Sequence, residues 1–295
     1  MPNFLDIKDL DSSEINKIID DAGDWKKNKT SHFLKDKNVL LIFEKPSLRT
    51  RISFEVCVQQ LGGNVNILNS NEFKLGERES VFDTAKVLER YLDLIVIRCF
   101  DHTVLEEFAS YTNVPVVNAL TDTSHPCQVI ADLLTIKEKF KDLNNKKISW
   151  FGDCNNVTHS WIEASALLGL NFYIACPKAN ELNESKRNWI KENNANVFVS
   201  QDVDLVAKDA DCILTDTWVS MGDKKNKSVD QFVPFQVNKK IMSMAKSNAL
   251  FLHCLPAQRG LEVTKDVIEG PNSVVFDQAE NRLHAHKSIV NYCFS

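Results

Sequence analysis

Four side chains that suit phosphate binding follow closely on a strongly apolar stretch. The run Val39–Phe43 is continuously apolar, which is typical of a strand buried on both faces. Ser47 then suits the N-cap of a helix, whose first N–H groups and partial positive charge attract anions. Arg49, Thr50 and Arg51 add a hydroxyl and two guanidinium groups. We therefore predict a phosphate-binding helix start here rather than an ordinary solvated surface.

Further polar groups come directly after other predicted strands, where open parallel sheets bind their ligands. These groups are Arg98, His125–Gln128, Asp153–Asn156, Asp216–Gly222 and His253–Pro256. Arg98 alone could simply emerge into solvent, but beside the Ser47–Arg51 loop it is predicted to bind phosphate or a carbonyl oxygen. His125 is predicted to donate to a carbonyl oxygen, and Gln128 to bind an amide NH2 group. Cys127 between them has no adjacent base and is expected to fill space.

The second half of the chain carries groups that suit an amino acid. Asn155 and Asn156 account in part for a turn and a helix cap, but two adjacent amides also suit a carboxylate. Asp216, followed by Ser220 before a tight turn, could hold an α-ammonium group. Cys254 is expected beside a substrate amine rather than as a nucleophile, because successive side chains of a strand point to opposite faces and separate it from His253. Arg282 follows three polar residues at the start of the last helix, and its residue pattern alone leaves its role open.

Strand and helix patterns alternate along the whole chain. This alternation predicts an α/β protein with two doubly wound parallel sheets flanked by helices. The polar stretch Lys141–Lys146 places a domain boundary near residue 140. Toward the end of the chain, the patterns predict a helix over Pro234–Ala245, a strand over Ser273–Phe276 and a closing helix over Gln278–Tyr292.

Composition excludes several classes of protein. The formal net charge of -5 and the absence of a Lys/Arg block argue against nucleic-acid binding. The acidic N-terminus is not a signal peptide, and no apolar run approaches membrane-spanning length. The 8 cysteines include no C-x-x-C pair and mostly lie in apolar patterns. They are expected to be free thiols in a reducing cytoplasm, with no metal site.

Five motifs together resemble the aspartate/ornithine carbamoyltransferase family, and the resemblance is closest to its ornithine-specific members. The motifs are FEKPSLRTRISFE, HPCQ, DTWVSMG, HCLPA and FDQAENRLH. They occur in the family's order between about Lys37 and His286. The resemblance implies a carbamoyl-phosphate-binding domain at 1–140, an ornithine-binding domain at 141–276, and a C-terminal helix, 277–295, that returns to the first domain.

The resemblance also implies roles for individual residues. Carbamoyl phosphate is expected to contact Ser47, Leu48, Arg49, Thr50, Arg98, His125, Gln128, Cys254, Leu255 and Arg282. Ornithine is expected to contact Asn156, Asp216, Ser220, Met221, Cys254 and Leu255. The catalytic set is expected to be Arg49, Arg98, His125, Cys254 and Arg282. The implied reaction is direct transfer of the carbamoyl group to the δ-amine of ornithine, which yields citrulline and phosphate without a cofactor.

The sequence departs from the family pattern at two places. Leu48 stands where many relatives have threonine, but this position is expected to contribute mainly its backbone. Lys74 stands where relatives often carry a glutamine that reaches a neighbouring subunit's site; Lys74 or Arg78 is expected to take that role in a homotrimer or a multiple of trimers. Three alternatives remain: transfer to aspartate, transfer to an acylated ornithine, and a catalytically silent subunit. The choice between arginine synthesis and arginine breakdown also stays open, with synthesis as the default.

Overall fold

A computed structural model of the chain describes residues 1–28, 30–69, 73–219 and 228–295. They form two compact units, one comprising Met1–Leu134 with Glu280–Ser295 and the other Thr135–Ala279. After a short 3-10 helix at Ile7–Asp9, the elements up to residue 140 are α1 Ser12–Lys27, β1 Asn38–Phe43, α2 Leu48–Gln60, β2 Asn64–Asn69, α3 Val81–Leu88, β3 Leu94–Arg98, α4 His102–Tyr111, β4 Val116–Leu120 and α5 Pro126–Phe140.

The first unit is built on a parallel sheet with the strand order β2-β1-β3-β4. The apolar run predicted as a buried strand is β1, of which every residue after Asn38 is buried. Such continuous burial is expected for a central parallel strand covered by helices on both faces. The chain places β2 on one side of β1, and then β3 and β4 on the other side. The loops that follow β1 and β3 therefore diverge and leave a crevice at the carboxyl ends of these two strands.

The second unit has its own parallel sheet. The strands and α-helices after residue 140 are, in chain order, β5 Lys147–Phe151, α6 Asn156–Leu168, β6 Asn171–Ala175, α7 Glu184–Glu192, β7 Val197–Ser200, α8 Val203–Ala207, β8 Cys212–Thr215, α9 Lys239–Met244, β9 Leu250–His253, α10 Lys265–Ile268 and α11 Val275–Cys293. The strand order is β7-β6-β5-β8-β9. The corresponding crevice therefore lies between the loops that follow β5 and β8.

The last part of α11 belongs to the first unit, as the fold prediction requires. Ser288 Oγ donates to the carbonyl oxygen of Ile18 at 2.7 Å, and the Tyr292 hydroxyl donates to Glu14 at 3.1 Å. These bonds attach α11 to α1 across more than 250 positions of sequence. The predicted fold class, two doubly wound parallel sheets with a returning C-terminal helix, is confirmed.

Two element predictions were wrong in detail. The strand expected at Ser273–Phe276 is reduced to a single bridge between Phe251 and Ser273, because α11 already begins at Val275. The helix expected at Pro234–Ala245 is divided into a 3-10 helix, Asp230–Phe235, and α9. The division fits local chemistry, since Asn238 caps α9 by accepting the N–H of Ile241.

The cysteines are free, and six of them are buried, with Cys154 and Cys254 partly exposed. Burial raises the pKa of Cys99 and of Cys127 to about 12, which keeps both thiols protonated and unreactive at neutral pH. Over the parts of the chain that the structure describes, no helix is both long enough and apolar enough to span a lipid bilayer.

Candidate active site

The loop between β1 and α2 forms the predicted helix start. Ser47 is the N-cap, and its hydroxyl accepts the N–H of Thr50 at 3.3 Å. Leu48 is 73% exposed, so its side chain contributes little to the fold and leaves the backbone as its contribution to any site. Arg49 is half-buried, and its Nε is buried without a hydrogen-bond partner among the described residues. A buried donor of this kind is costly unless a ligand satisfies it.

The second arginine of this loop is engaged elsewhere. Arg51 Nη1 donates to Asn69 Oδ1 at 3.5 Å, at the end of β2, and Arg51 Nε lies 3.9 Å from Glu55 Oε2. Both arginines of this helix start have a buried Nε without a hydrogen-bond partner among the described residues, so what distinguishes Arg51 from Arg49 is its contacts with Asn69 and Glu55.

Two arginines converge on one buried hydroxyl. Arg98 Nη1, at the end of β3, lies 3.4 Å from Thr50 Oγ1, and Arg282 Nη2 of α11 lies 2.6 Å from the same atom. The two nitrogens are thus no more than about 6 Å apart, and at an effective dielectric constant of about 20 their charges repel by about 3 kcal/mol or more. All three side chains are buried. The arrangement is a positively charged receptor that an anion would stabilise.

His125 adds a neutral donor to this receptor. It is 4% exposed and begins the turn into α5. Burial, followed by the guanidinium groups of Arg282 and Arg98, holds the pKa of His125 well below its ordinary value of 6.5. A neutral imidazole at physiological pH can donate one hydrogen bond to a carbonyl oxygen without adding a third positive charge.

Gln128 is the fully buried amide of the same helix. Its Nε2 donates to Asp132 Oδ1 at 2.8 Å, whereas its Oε1 is buried without a hydrogen-bond partner in the described residues. Cys127, which precedes it, donates its thiol to the Asn118 carbonyl oxygen and packs as expected from sequence. The first unit therefore presents cationic groups, a neutral imidazole and an amide oxygen, which together can bind a phosphate and a planar carbonyl bearing an NH2 group.

Lys45 connects the two loops that carry these groups. Its ammonium contacts Asp122 of the loop after β4 and lies 4.2 Å from the centre of the Phe100 ring. The Lys45 side chain is only 4% exposed, so the ion pair with Asp122 offsets the burial of its charge. The contact fixes the β1–α2 loop relative to the loop that leads to His125.

In the second unit, Asp216 is the centre of a compact polar cluster just after β8. Its carboxylate accepts Asn155 Nδ2 at 2.7 Å, the Cys254 thiol at 3.1 Å and the Thr217 N–H at 2.8 Å. Asn155 follows β5, so the crevice predicted from strand order does bring these groups together. A carboxylate in this position can bind an ammonium group.

Asn155 and Asn156 occupy different positions at the start of α6. Asn155 is the N-cap of α6, and its Oδ1 accepts the N–H groups of Val157 and Thr158. Asn156 is the first residue of α6 and is half-buried. Gly152, just before this loop, has a φ of 114° and lies so close to the Trp218 indole that an added Cβ would be 3.2 Å from it. Only glycine therefore lets the loop turn toward Asp216.

The segment after β9 holds Cys254 and Leu255 in a fixed geometry. His253 is buried, its Nδ1 accepts the Leu255 N–H at 2.9 Å, and its Nε2 lies 3.3 Å from Glu262. Leu255 has a φ of 55°, a left-handed conformation that leucine seldom adopts and that often marks a functional position.

Asp216, His253 and Cys254 offer ligand atoms within 4.8 Å of one another. Both ring nitrogens of His253 are already engaged, one by the Leu255 N–H and one by Glu262. The three groups therefore serve the polar cluster and the loop conformation, and a metal would have to displace those bonds.

The remaining predicted residues cannot all be placed. Ser220 and Met221 lie outside the described residues. Lys74 and Arg78 are exposed in the loop after β2, where Lys74 lies 3.6 Å from Glu77. The loop is attached to the end of β1, because Leu75 N–H donates to Glu44 Oε1 at 2.9 Å.

Two family models match the chain, one over its first half and one over its second half. The family model described as Aspartate/ornithine carbamoyltransferase, carbamoyl-P binding domain, matches residues 2–138, and the model described as Aspartate/ornithine carbamoyltransferase, Asp/Orn binding domain, matches residues 144–293. The chain belongs to the aspartate/ornithine carbamoyltransferase family.

Individual relatives within this family are similar over their whole length. The ornithine carbamoyltransferase of Methanococcus aeolicus is 47% identical over 303 residues, with 99% of each chain covered. The solved structure of ornithine carbamoyltransferase from Pyrococcus furiosus has a TM-score of 0.93 and 43% identity, covering 98% of this chain and 96% of that one. The structure of the anabolic ornithine carbamoyltransferase from Campylobacter jejuni has a TM-score of 0.95 and 38% identity, covering 100% and 99%.

Three residues that contact the candidate site or its loops were missed by sequence reasoning. Lys45 and Asp122 are far apart in sequence, and no local pattern connects them. Asp132 could have been found, because it lies four residues after Gln128 and therefore on the same face of α5.

Proposed function

We propose that this chain transfers the carbamoyl group of carbamoyl phosphate to the δ-amine of L-ornithine, releasing L-citrulline and phosphate. The convergence of Arg98 and Arg282 on Thr50, next to a neutral His125, carries the proposal. These groups match the charge and shape of an acyl phosphate better than those of phosphate alone. The family's ornithine-specific relatives support the choice of acceptor.

In the proposed division of labour, the unit that contains the first sheet binds carbamoyl phosphate. Ser47, Arg49, Thr50 and the backbone of Leu48 hold the phosphate. Arg98, Arg282 and His125 bind the carbonyl oxygen, and Gln128 binds the NH2 group. These roles account for the unmet donor on Arg49 and the unmet acceptor on Gln128.

The second unit binds ornithine in the same proposal. Asn156, at the start of α6, takes the α-carboxylate, because a helix N-terminus favours an anion. Asp216 takes the α-ammonium group, and the family resemblance adds Ser220 and Met221, which lie outside the described residues, as further contacts of ornithine. Cys254 and Leu255 lie beside the side-chain amine and the carbamoyl group.

The reaction is a direct displacement. The neutral δ-amine attacks the carbamoyl carbon, so that a C–N bond forms and the carbonyl electrons move onto oxygen. Arg98 and His125 stabilise this oxyanion, and Arg49 stabilises the phosphate that leaves as the C–O bond breaks. The amine proton departs with the phosphate. Because a primary amine has a pKa of about 10, turnover should increase toward alkaline pH.

The biological setting follows as part of the proposal. We assign the chain to arginine biosynthesis in the cytoplasm, a role supported by the anabolic relative from Campylobacter jejuni and by free thiols throughout. We also propose a homotrimer in which Lys74 or Arg78 reaches the neighbouring subunit's site. Light scattering at micromolar concentration should give three times the mass of one chain, and a monomer would exclude this role for both residues.

The activity test compares acceptors directly. Purified protein should form citrulline from carbamoyl phosphate and ornithine. Carbamoyl-aspartate from aspartate, or an acylated citrulline from an acylated ornithine, would replace the proposed substrate with one of the alternatives. Absence of product with every acceptor would indicate a silent subunit.

A further inference from the structure

Asp132 is a buried carboxylate that the proposed reaction does not use. It is 1% exposed and lies one turn after the fully buried Gln128 on α5. The Gln128 Nε2 donates to Asp132 Oδ1 at 2.8 Å. Both residues lie in the same compact unit as the phosphate loop, Arg98 and Arg282.

This contact determines the orientation of the Gln128 side-chain amide. Gln128 Nε2 is the donor and the carboxylate oxygen the acceptor in this contact, so the NH2 side of the amide faces Asp132. The amide oxygen is then directed to the opposite side, where it is buried without a partner among the described residues. A buried acceptor in this state favours a ligand that brings a hydrogen-bond donor.

We propose that Asp132 is a positioning residue that makes the site selective for a carbamoyl group over an acetyl group. By holding the Gln128 NH2 group, it keeps the amide oxygen available to accept from the carbamoyl NH2. Acetyl phosphate carries a methyl group of similar size at that position and leaves the oxygen unsatisfied. A polar site of this kind rejects an analogue that lacks the required donor.

The inference rests on the proposed function, because it assumes that the first unit binds carbamoyl phosphate. It also differs from a purely structural role for Asp132. A carboxylate that only supports α5 would affect every ligand of the first unit alike, whereas a carboxylate that orients Gln128 affects only those ligands that differ at the NH2 position.

The decisive variant is Asp132→Asn, which keeps the size of the side chain but can either donate or accept. The Gln128 amide is then free to flip. We expect the affinity for carbamoyl phosphate to fall about 10-fold, the scale of one lost hydrogen bond with an unmet group. The affinities for inorganic phosphate and acetyl phosphate should stay within about twofold. Isothermal titration with each of the three ligands measures the carbamoyl-to-acetyl ratio. Glu138→Gln, which removes one carboxylate from the same helix, is the matched control and should leave all three affinities unchanged.

A double-mutant cycle separates the effect of Asp132 on Gln128 from a general loss of structure. Gln128→Met should lower the carbamoyl-to-acetyl ratio by a similar factor, and adding Asp132→Asn to it should lower the ratio no further. Asp132→Glu, which retains a carboxylate at this position, should keep most of the wild-type carbamoyl-to-acetyl ratio. If Asp132→Asn folds poorly, the single variants Asp132→Glu and Gln128→Met still report on the ratio: Asp132→Glu should keep most of it and Gln128→Met should lower it.

The outcomes separate the two levels of the proposal. An equal loss of affinity for all three ligands, or additive effects in the cycle, would overturn the positioning role and leave the proposed function intact. Wild-type protein that binds phosphate but shows no preference for carbamoyl phosphate over acetyl phosphate would overturn both.

Discussion

The side chain of Arg49 provides the sharpest test of the phosphate site. Arg49→Ala should abolish most turnover and leave the fold intact. The reason is that Arg49 Nε is buried without a hydrogen-bond partner in the described structure, so the side chain contributes little to folding. A phosphate oxygen would satisfy this donor with a charge-assisted hydrogen bond.

The expected magnitude follows from this contact. Removing one donor that stabilises developing negative charge costs about 2.7–4 kcal/mol, which corresponds to about a 10²–10³-fold loss in turnover. The free energy of unfolding should change by no more than about 0.5 kcal/mol, as for a surface substitution without a structural partner. The two effects are thus separated by several kcal/mol.

Two measurements check this prediction. Citrulline formation at saturating ornithine gives kcat and the KM for carbamoyl phosphate, and denaturant unfolding gives stability. Arg51→Ala is the matched control, because it removes the same kind of side chain two residues away. Since Arg51 is held by Asn69 and Glu55, its loss should cost less than about 1 kcal/mol of stability and only a small factor in turnover.

The reasoning fails if Arg49→Ala keeps more than about a tenth of wild-type kcat/KM. It also fails if Arg51→Ala reduces turnover as strongly, because then both arginines act on the phosphate and the described contacts of Arg51 do not predict its role.

Three further predictions test other parts of the molecule. Asp216→Asn should raise the KM for ornithine at least 10-fold, because it removes the carboxylate charge that is proposed to bind the α-ammonium group. Carbamoyl phosphate binding, measured by titration, should stay unchanged, and a change in that affinity would contradict the assignment. Burial and Arg282 hold the pKa of His286 well below 6.5, so the unfolded chain binds a proton that the native protein does not, and stability is present above pH 6.5 and is lost as the pH falls below it. His286→Gln should therefore reduce the slope of unfolding free energy against pH below 6.5 by about 1.4 kcal/mol per pH unit, measured by denaturant titration, and an unchanged slope would refute this. Asp122→Ala should destabilise the protein by about 1–3 kcal/mol, because the buried Lys45 ammonium would lose its half-exposed counter-charge. Lys45→Met should cost less, and the reverse order in denaturant midpoints would contradict this role of Asp122.

The sequence predicted the positions that depend on strand ends. Arg98 was expected at the carboxyl end of a buried strand and lies at the end of β3. Asp216 was expected just after a strand and follows β8 directly. These predictions succeeded because a continuous apolar run, followed by a polar break, specifies both the strand and the residue that leaves the sheet edge.

Contacts between distant parts of the chain could not be predicted in this way. Arg282 reaches Thr50 across 232 positions of sequence, and its own helix start reads as an ordinary solvated face. The apolar Val274–Val275 pair was interpreted as part of a strand, but both residues are buried and Val275 is the first residue of α11. A short apolar run fits a strand and a buried helix equally well, and only the tertiary structure decides between them.

The way Arg282 is held has a consequence for how the anion receptor forms. Its helix, α11, is attached to α1 through Ser288 and Tyr292, whereas its guanidinium contacts the first turn of α2. The receptor therefore requires the two ends of the chain and the β1–α2 loop to be in place together. Because the guanidinium groups of Arg98 and Arg282 repel each other in the free protein, the same contacts that complete the receptor also reduce its stability. Binding of a phosphate-containing substrate relieves that repulsion, so it should stabilise the first unit by more than its hydrogen bonds alone would suggest.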